Sequence, residues 1–384
     1  MSGHALPYSL ENQVDSPFLV FGDRSRSRTH LVHPIWLRER SIESEMIDQG
    51  NRQRLYDPAD LPSNLRALSI TPEGAPDAIS GGQRVRVQWS DLHSQYVDLH
   101  RIAVELGWEA DPEAPPAPIA WSAPPDPFPT CPFPEATDDA GHLRALEMFW
   151  TWGFVILTGT PTDPGSLESL ARRFGIIRNT NFGLLFDVVA VPNPVDLAYT
   201  PMELTAHSDN PYRRPVPQIQ MLHCLKNDAG GGASTLADGL AAHETLAHLD
   251  PAGHRTLCSV PVTFRYLGGD DTFVARSTII ETDSWGSFVG MRNADRHDYV
   301  DAVDPDTLTQ FYRARTMLRQ LLNDADRKAE FTLQPGDLMM MDNRRLVHGR
   351  TAYSLETGSR HLQGCYIDYD QPDGMWRTLQ RKML

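Results

Sequence analysis

His207-Ser208-Asp209 and, far downstream, Asp342-Asn343-Arg344-Arg345-Leu346-Val347-His348-Gly349-Arg350 are the stretches on which this chain turns. In an extended strand, residues two apart point to the same face. His207 and Asp209 can therefore offer an imidazole and a carboxylate to one ion, and His348 can close the set from a second strand. The downstream stretch follows an apolar run, which puts His348 at a strand end, where a rigid scaffold presents ligands. The next strand carries Arg360, twelve residues after His348. Counted by twos, Arg360, Leu362, Gly364 and Tyr366 share one face. An arginine on such a face needs an anionic partner, either a bidentate carboxylate or a local acid in a buried salt bridge.

Further strands are expected at 218–225, 262–266, 287–291, 328–333, 337–342 and 361–369, with Phe154-Val155-Ile156-Leu157 as another. Helical spacing marks Leu143, Leu146, Phe149 and Trp150, then 167–174 and 304–323. Many strands and few helices, without regular alternation, argue for a β sandwich or barrel with flanking helices. Three zones follow from composition. Residues 1–108 form a small N-terminal domain, β-rich and of α+β type, in which Val85, Val87 and Trp89 share a strand face. Residues 109–139 contain a proline cluster, expected as a stiff connector. Residues 140–384 form the larger domain.

With 50 Asp and Glu against 35 Lys and Arg, the net charge is −15, which argues against nucleic-acid or anionic-membrane partners. Cys131, Cys224, Cys258 and Cys365 show no CxxC pairing and read as reduced thiols. Without a signal peptide or an apolar span in the sequence, a cytoplasmic protein is expected. Two histidines and one carboxylate with open positions beside them form the ligand set of non-haem Fe(II) oxygenases. A zinc hydrolase could use the same three residues, but it has no need of Arg360. A non-catalytic ligand-binding jelly roll would be expected to lack at least one of the four.

The chain resembles the γ-butyrobetaine and trimethyllysine hydroxylases of the taurine dioxygenase superfamily. The resemblance is carried by Ala198-Tyr199-Thr200, His207-Ser208-Asp209-Asn210-Pro211, Leu222-His223-Cys224-Leu225 and Gly231-Gly232-Ala233-Ser234. Asp238-Gly239, the 342–350 stretch and Arg360-His361-Leu362-Gln363-Gly364-Cys365-Tyr366 extend it. It implies a double-stranded β-helix (jelly roll), iron ligated by His207, Asp209 and His348, and O2 and 2-oxoglutarate as cosubstrates. Arg360 would hold the distal carboxylate of 2-oxoglutarate, assisted by Ser234. It also implies a homodimer, and hydroxylation of an aliphatic C–H in a small charged substrate.

Two departures stand out. Trp36-Leu37-Arg38-Glu39-Arg40 matches the lead-in to the family's structural zinc, but Ser41, Glu43 and Met46 replace its cysteines, leaving His93. No zinc is expected there. The substrate positions are Phe182, Phe186, Tyr199 and Tyr366, which suit either a cation–π cage or an apolar lining. Asp196 and Arg292 stand where the family has asparagines. Arg292 could grip a highly charged anion, with Asp196 orienting it; alternatively the two pair together or face water. A larger apolar scaffold, oxidised in a biosynthetic pathway, is the competing substrate class.

Overall fold

The computed structural model describes residues 7–13, 15–73, 84–190, 200–268, 271–354, 356 and 358–383. The chain divides into two compact units, Met1–Pro112 and Glu113–Leu384. Asp196 and Tyr199 lie outside the described residues.

In the smaller unit, two three-stranded antiparallel sheets share one core. The alternation of Arg84–Trp89 buries Val85, Val87 and Trp89 together. The positions expected to have lost zinc ligands come together on a polar network. Ser41 Oγ lies 3.2 Å from His93 Nε2, and Arg38, 3% exposed, bonds Asp91 at 3.1 Å and reaches the Met46 sulfur.

The larger unit is mainly β and is organised on two sheets. The six-stranded sheet runs Thr130–Pro132, Phe154–Thr158, Leu338–Asp342, Ile219–Asn227, Arg360–Ile367, Phe186–Val188. The four-stranded sheet runs Leu204–His207, Leu346–Arg350, Ser234–Asp238, Ala329–Phe331. The first sheet is buried on both faces, which explains why Phe154-Val155-Ile156-Leu157 reads as continuously apolar. Val155, Leu157, Met221, Met340, Cys365 and Ile367 meet the helices Asp139–Trp152 and Asp370–Met383. Phe154, Ile156, Leu222, Met339, Met341 and Leu362 face inward and share a core with Leu236, Ala329 and Leu346 of the second sheet. That sheet is covered outside by Gly239–Leu249, Pro251–Ser259 and Pro305–Asn323. Mainly β with flanking helices therefore holds, and the two-sheet arrangement fits a double-stranded helix.

The proline-rich stretch departs from its expected role as a connector. From Glu113 it belongs to the larger unit, and Thr130–Pro132 is an edge strand parallel to Phe154–Thr158. Trp121 is 5% exposed, and its N–H donates to Asp238. The buried Arg345–Asp238 pair at 2.7 Å also anchors the stretch, because Arg345 donates to the Ile119 carbonyl. Tertiary hydrogen bonds decided where the proline-rich segment lies. Among the described residues no helix is long and apolar enough to cross a membrane.

Candidate active site

His207 and His348 are direct cross-strand partners on Leu204–His207 and Leu346–Arg350, with ring centroids 4.3 Å apart. His348 sits in mid-strand, not at the strand end expected from sequence. Asp209 arrives by a different route from strand alternation. The strand stops at His207, and the chain bends through Ser208 and Asp209 into Asn210, whose φ is +51°. Asn343 fixes that bend: its Oδ1 accepts from Asp209 N at 2.8 Å, and its Nδ2 donates to Asp209 O and Pro217 O.

The result is a compact donor set, with one atom from each of His207, Asp209 and His348 all within 4.8 Å of one another. Asp209 Oδ1 lies 3.5 Å from His207 Nε2 and 3.7 Å from His348 Nε2. Its other oxygen, Oδ2, accepts from the Tyr366 hydroxyl at 2.7 Å and from the Gln220 amide. Thus Oδ1 is the oxygen left facing the imidazoles. His207 Nδ1 lies 2.9 Å from the Thr205 carbonyl. Donation there puts the ring's proton on Nδ1 and its lone pair on Nε2, aimed at Asp209. Burial, with His207 beside it, pushes the His348 pKa down to about 4, so this ring is neutral at neutral pH. Burial opposes charge on Asp209, yet His348, His207 and the Tyr366 hydroxyl outweigh it and hold the carboxyl below the usual range. Two imidazoles and one carboxylate oxygen around one point suit a divalent iron.

Arg360 opens onto the same cavity from the inward face of Arg360–Ile367. It is 4% exposed, makes no ion pair with a carboxylate among the described residues, and leaves Nε buried without a partner. The local salt bridge that would have explained it is absent among these residues, so its charge is directed at the cavity. Ser234, 6% exposed, lines the cavity on the strand beside Leu346–Arg350 and pairs there with Arg350. Leu204, Leu222, Met339 and Leu362 supply apolar walls.

The aromatic side of the cavity holds Phe182, Phe186 and Tyr366. Phe186 stacks on Tyr366 at 5.2 Å, and Phe182 lies 6.4 Å from Phe186. Gly364 permits this: a Cβ there would overlap the Phe186 ring on the paired strand. Arg292 is a correction. It does not line the cavity; it is 7% exposed and bonds Glu281 at 2.9 Å and the carbonyls of Pro211 and Arg213. Arg344 holds the other Glu281 oxygen at 2.7 Å. Arg292 braces the loop after Asp209 and has no donor aimed at a substrate.

Sequence reasoning gave no role to Gln220, Asn343 or Arg296. Arg296 lines the cavity, is exposed at its mouth, and makes no ion pair among the described residues. The inward alternation of Gln220 with Leu222 and Cys224 was a usable signal for the first. Nothing local marks the other two.

The family model described as taurine catabolism dioxygenase TauD, TfdA family, matches residues 120–366. Gamma-butyrobetaine dioxygenase of Pseudomonas sp. (strain AK-1) is 32% identical over 369 residues, 92% of each chain. Dioxygenase str8 of Strobilurus tenacellus is 29% identical over 362 residues, 89% of this chain and 82% of that one. Human gamma-butyrobetaine dioxygenase is 34% identical over 254 residues, 63% of this chain and 65% of that one. The chain belongs to the TauD, TfdA dioxygenase family. It is a dioxygenase.

Proposed function

We propose that the protein hydroxylates an aliphatic C–H of a small zwitterion, with His207, Asp209 and His348 holding iron and Arg360 and Ser234 holding 2-oxoglutarate. The observation that carries this reading is Arg360, a buried guanidinium with no acidic partner among the described residues, on the cavity that contains the triad. A carboxylate supplies the bidentate, charge-assisted partner that the guanidinium lacks. When bound, iron couples reduction of O2 and oxidative decarboxylation of 2-oxoglutarate to succinate with oxidation of the substrate.

The protein's own part is positioning. Tyr366 and Gln220 occupy Asp209 Oδ2 and leave Oδ1 to the metal. Thr205 orients His207, and Asn343 fixes the bend on which Asp209 sits. The apolar walls exclude water, which strengthens each polar contact inside. Phe182, Phe186 and Tyr366 receive the cationic end of the substrate. Arg296 replaces Arg292 as the group for the anionic end, because it is exposed, lines the cavity and makes no ion pair among the described residues.

A second reading is supported by the lining of the cavity. Phe182, Phe186, Leu204, Leu222, Met339 and Leu362 present apolar surface that suits a larger apolar scaffold. Succinate formation across a panel separates the two. Small quaternary-ammonium zwitterions should stimulate it and their neutral carbon isosteres should not; stimulation by apolar scaffolds alone overturns the zwitterion reading. His207→Ala protein that consumed 2-oxoglutarate at the wild-type rate would sink the assigned iron site.

The same proposal takes the two sheets as a jelly roll and the protein as a cytoplasmic homodimer. It also takes the smaller unit as zinc-free, because Ser41, Glu43 and Met46 offer no thiolates. Sedimentation tests the dimer. Zinc found to be ligated by residues 1–112 would overturn the zinc-free reading.

A further inference from the structure

We propose that His243, His254 and Cys258 form a second metal site, for a divalent cation of the zinc class, on the helical cover of the larger unit. His254 and Cys258 are one turn apart on Pro251–Ser259 and therefore project from the same face. His243 meets them from the preceding helix, Gly239–Leu249. One donor atom from each of the three lies within 4.8 Å of the others. His254 Nε2 is 3.6 Å from Cys258 Sγ and 3.0 Å from His243 Nδ1. Tetrahedral zinc, with bonds of about 2.0–2.1 Å to nitrogen and about 2.3 Å to sulfur, spaces such donors by about 3.6 Å and about 3.3 Å. The N···S separation from His254 matches this spacing and the N···N separation is a few tenths of an ångström short of it, while His243 and Cys258 offer donors within 4.8 Å of each other.

Hydrogen bonding alone explains the contact between the two histidines. It does not explain why a thiol joins the pair, with a donor atom within 4.8 Å of both imidazoles. Burial pushes the His243 pKa down to about 4 and lowers that of His254, so both rings are neutral at neutral pH. Cys258 is a protonated thiol, its pKa pushed up to about 11 by burial, and it loses its proton to solvent when the metal binds. The cluster is half-buried, leaving a fourth position for water. Two imidazoles and a thiolate favour zinc-like cations over calcium or magnesium, and distinguish this site from the sulfur-free triad at His207. A bound ion would tie together the helices on either side of Asp250; the first of these continues directly from the strand that carries Ser234.

Cobalt(II) titration of the full chain tests this, because thiolate-to-cobalt absorption in the near ultraviolet requires a sulfur ligand. The band should appear in wild-type and His207→Ala protein and be lost in Cys258→Ser, which keeps its 2-oxoglutarate turnover. Cys258 is also the one cysteine of the four that is not fully buried. Its alkylation should slow about a hundredfold at zinc a hundred times above Kd. Absence of the band from both wild-type and His207→Ala protein overturns the site. So does its persistence in Cys258→Ser, or alkylation indifferent to zinc.

Discussion

Replacing Arg360 with methionine should weaken 2-oxoglutarate binding while stabilising the empty protein. Burial, reinforced by Arg350, pushes the Arg360 pKa down from 12.5 to about 10. At about 1.4 kcal/mol per pKa unit, keeping this charge costs the folded protein on the order of 3 kcal/mol. The side chain is 4% exposed, so solvent screening relieves little of that cost. The guanidinium is protonated in both folded and unfolded chains at neutral pH. The cost is therefore fully present below about pH 10 and fades only as pH rises toward 12.5. Methionine fills similar space without charge, so Arg360→Met should raise the melting temperature in the absence of 2-oxoglutarate. With iron and 2-oxoglutarate under argon the order reverses. Loss of a buried charge-assisted pair costs on the order of 3 kcal/mol, a Kd increase of about 150-fold. Wild-type protein at ligand about a hundred times Kd should gain roughly 5–10 °C, a gain the variant lacks at the same concentration. Calorimetry and thermal shift read both effects. Unchanged 2-oxoglutarate affinity in Arg360→Met would refute the assignment, and an empty variant less stable than wild type would refute the buried-charge argument.

Three further outcomes follow from the same geometry. Tyr366→Phe keeps the ring against Phe186 but removes the hydroxyl from Asp209 Oδ2, so iron affinity should fall about 10- to 100-fold, measured by metal competition. Gly364→Ala drives a Cβ into the Phe186 ring and should cost about 1–3 kcal/mol in urea unfolding while raising KM for the substrate more than for 2-oxoglutarate. Arg292→Ala leaves the Glu281 carboxylate, buried between two arginines, with Arg344 alone, and should cost about 3–5 kcal/mol with an unchanged KM for 2-oxoglutarate. Burial raises the Glu281 pKa, but Arg344 and Arg292 outweigh it and hold it below 4.5. The stability from this pair is thus present above about pH 4.5 and lost as pH falls through the lower folded value, and Arg292→Ala should flatten that acid limb.

Much of the site was legible in sequence because strand geometry is local. Side chains two apart share a face whatever the rest of the chain does. Counting from Arg360 to Tyr366 placed both on the cavity wall. The identity of the donors, two imidazoles and a carboxylate, likewise needed no coordinates to suggest a metal. Alternation failed at Asp209 because the strand ends before it, and Asn343, 134 residues away, holds the bend in place. The family resemblance put Arg292 in the substrate site, whereas Arg296, four residues on, lines the cavity. Glu281 and two carbonyls capture Arg292, and no pattern near residue 292 announces partners at 281, 211 and 213.

Sequence alone pointed to the strand-rich class, to His207, Asp209 and His348 as candidate donors and to an anionic partner for Arg360, through residue type, short-range periodicity and the family resemblance. Tertiary structure decided which Asp209 oxygen faces the imidazoles, where the proline-rich stretch lies and which arginine reaches the cavity. Those outcomes depend on hydrogen bonds and ion pairs between segments far apart in the chain. Such partners become definite only when packing removes water and each buried polar group must find one.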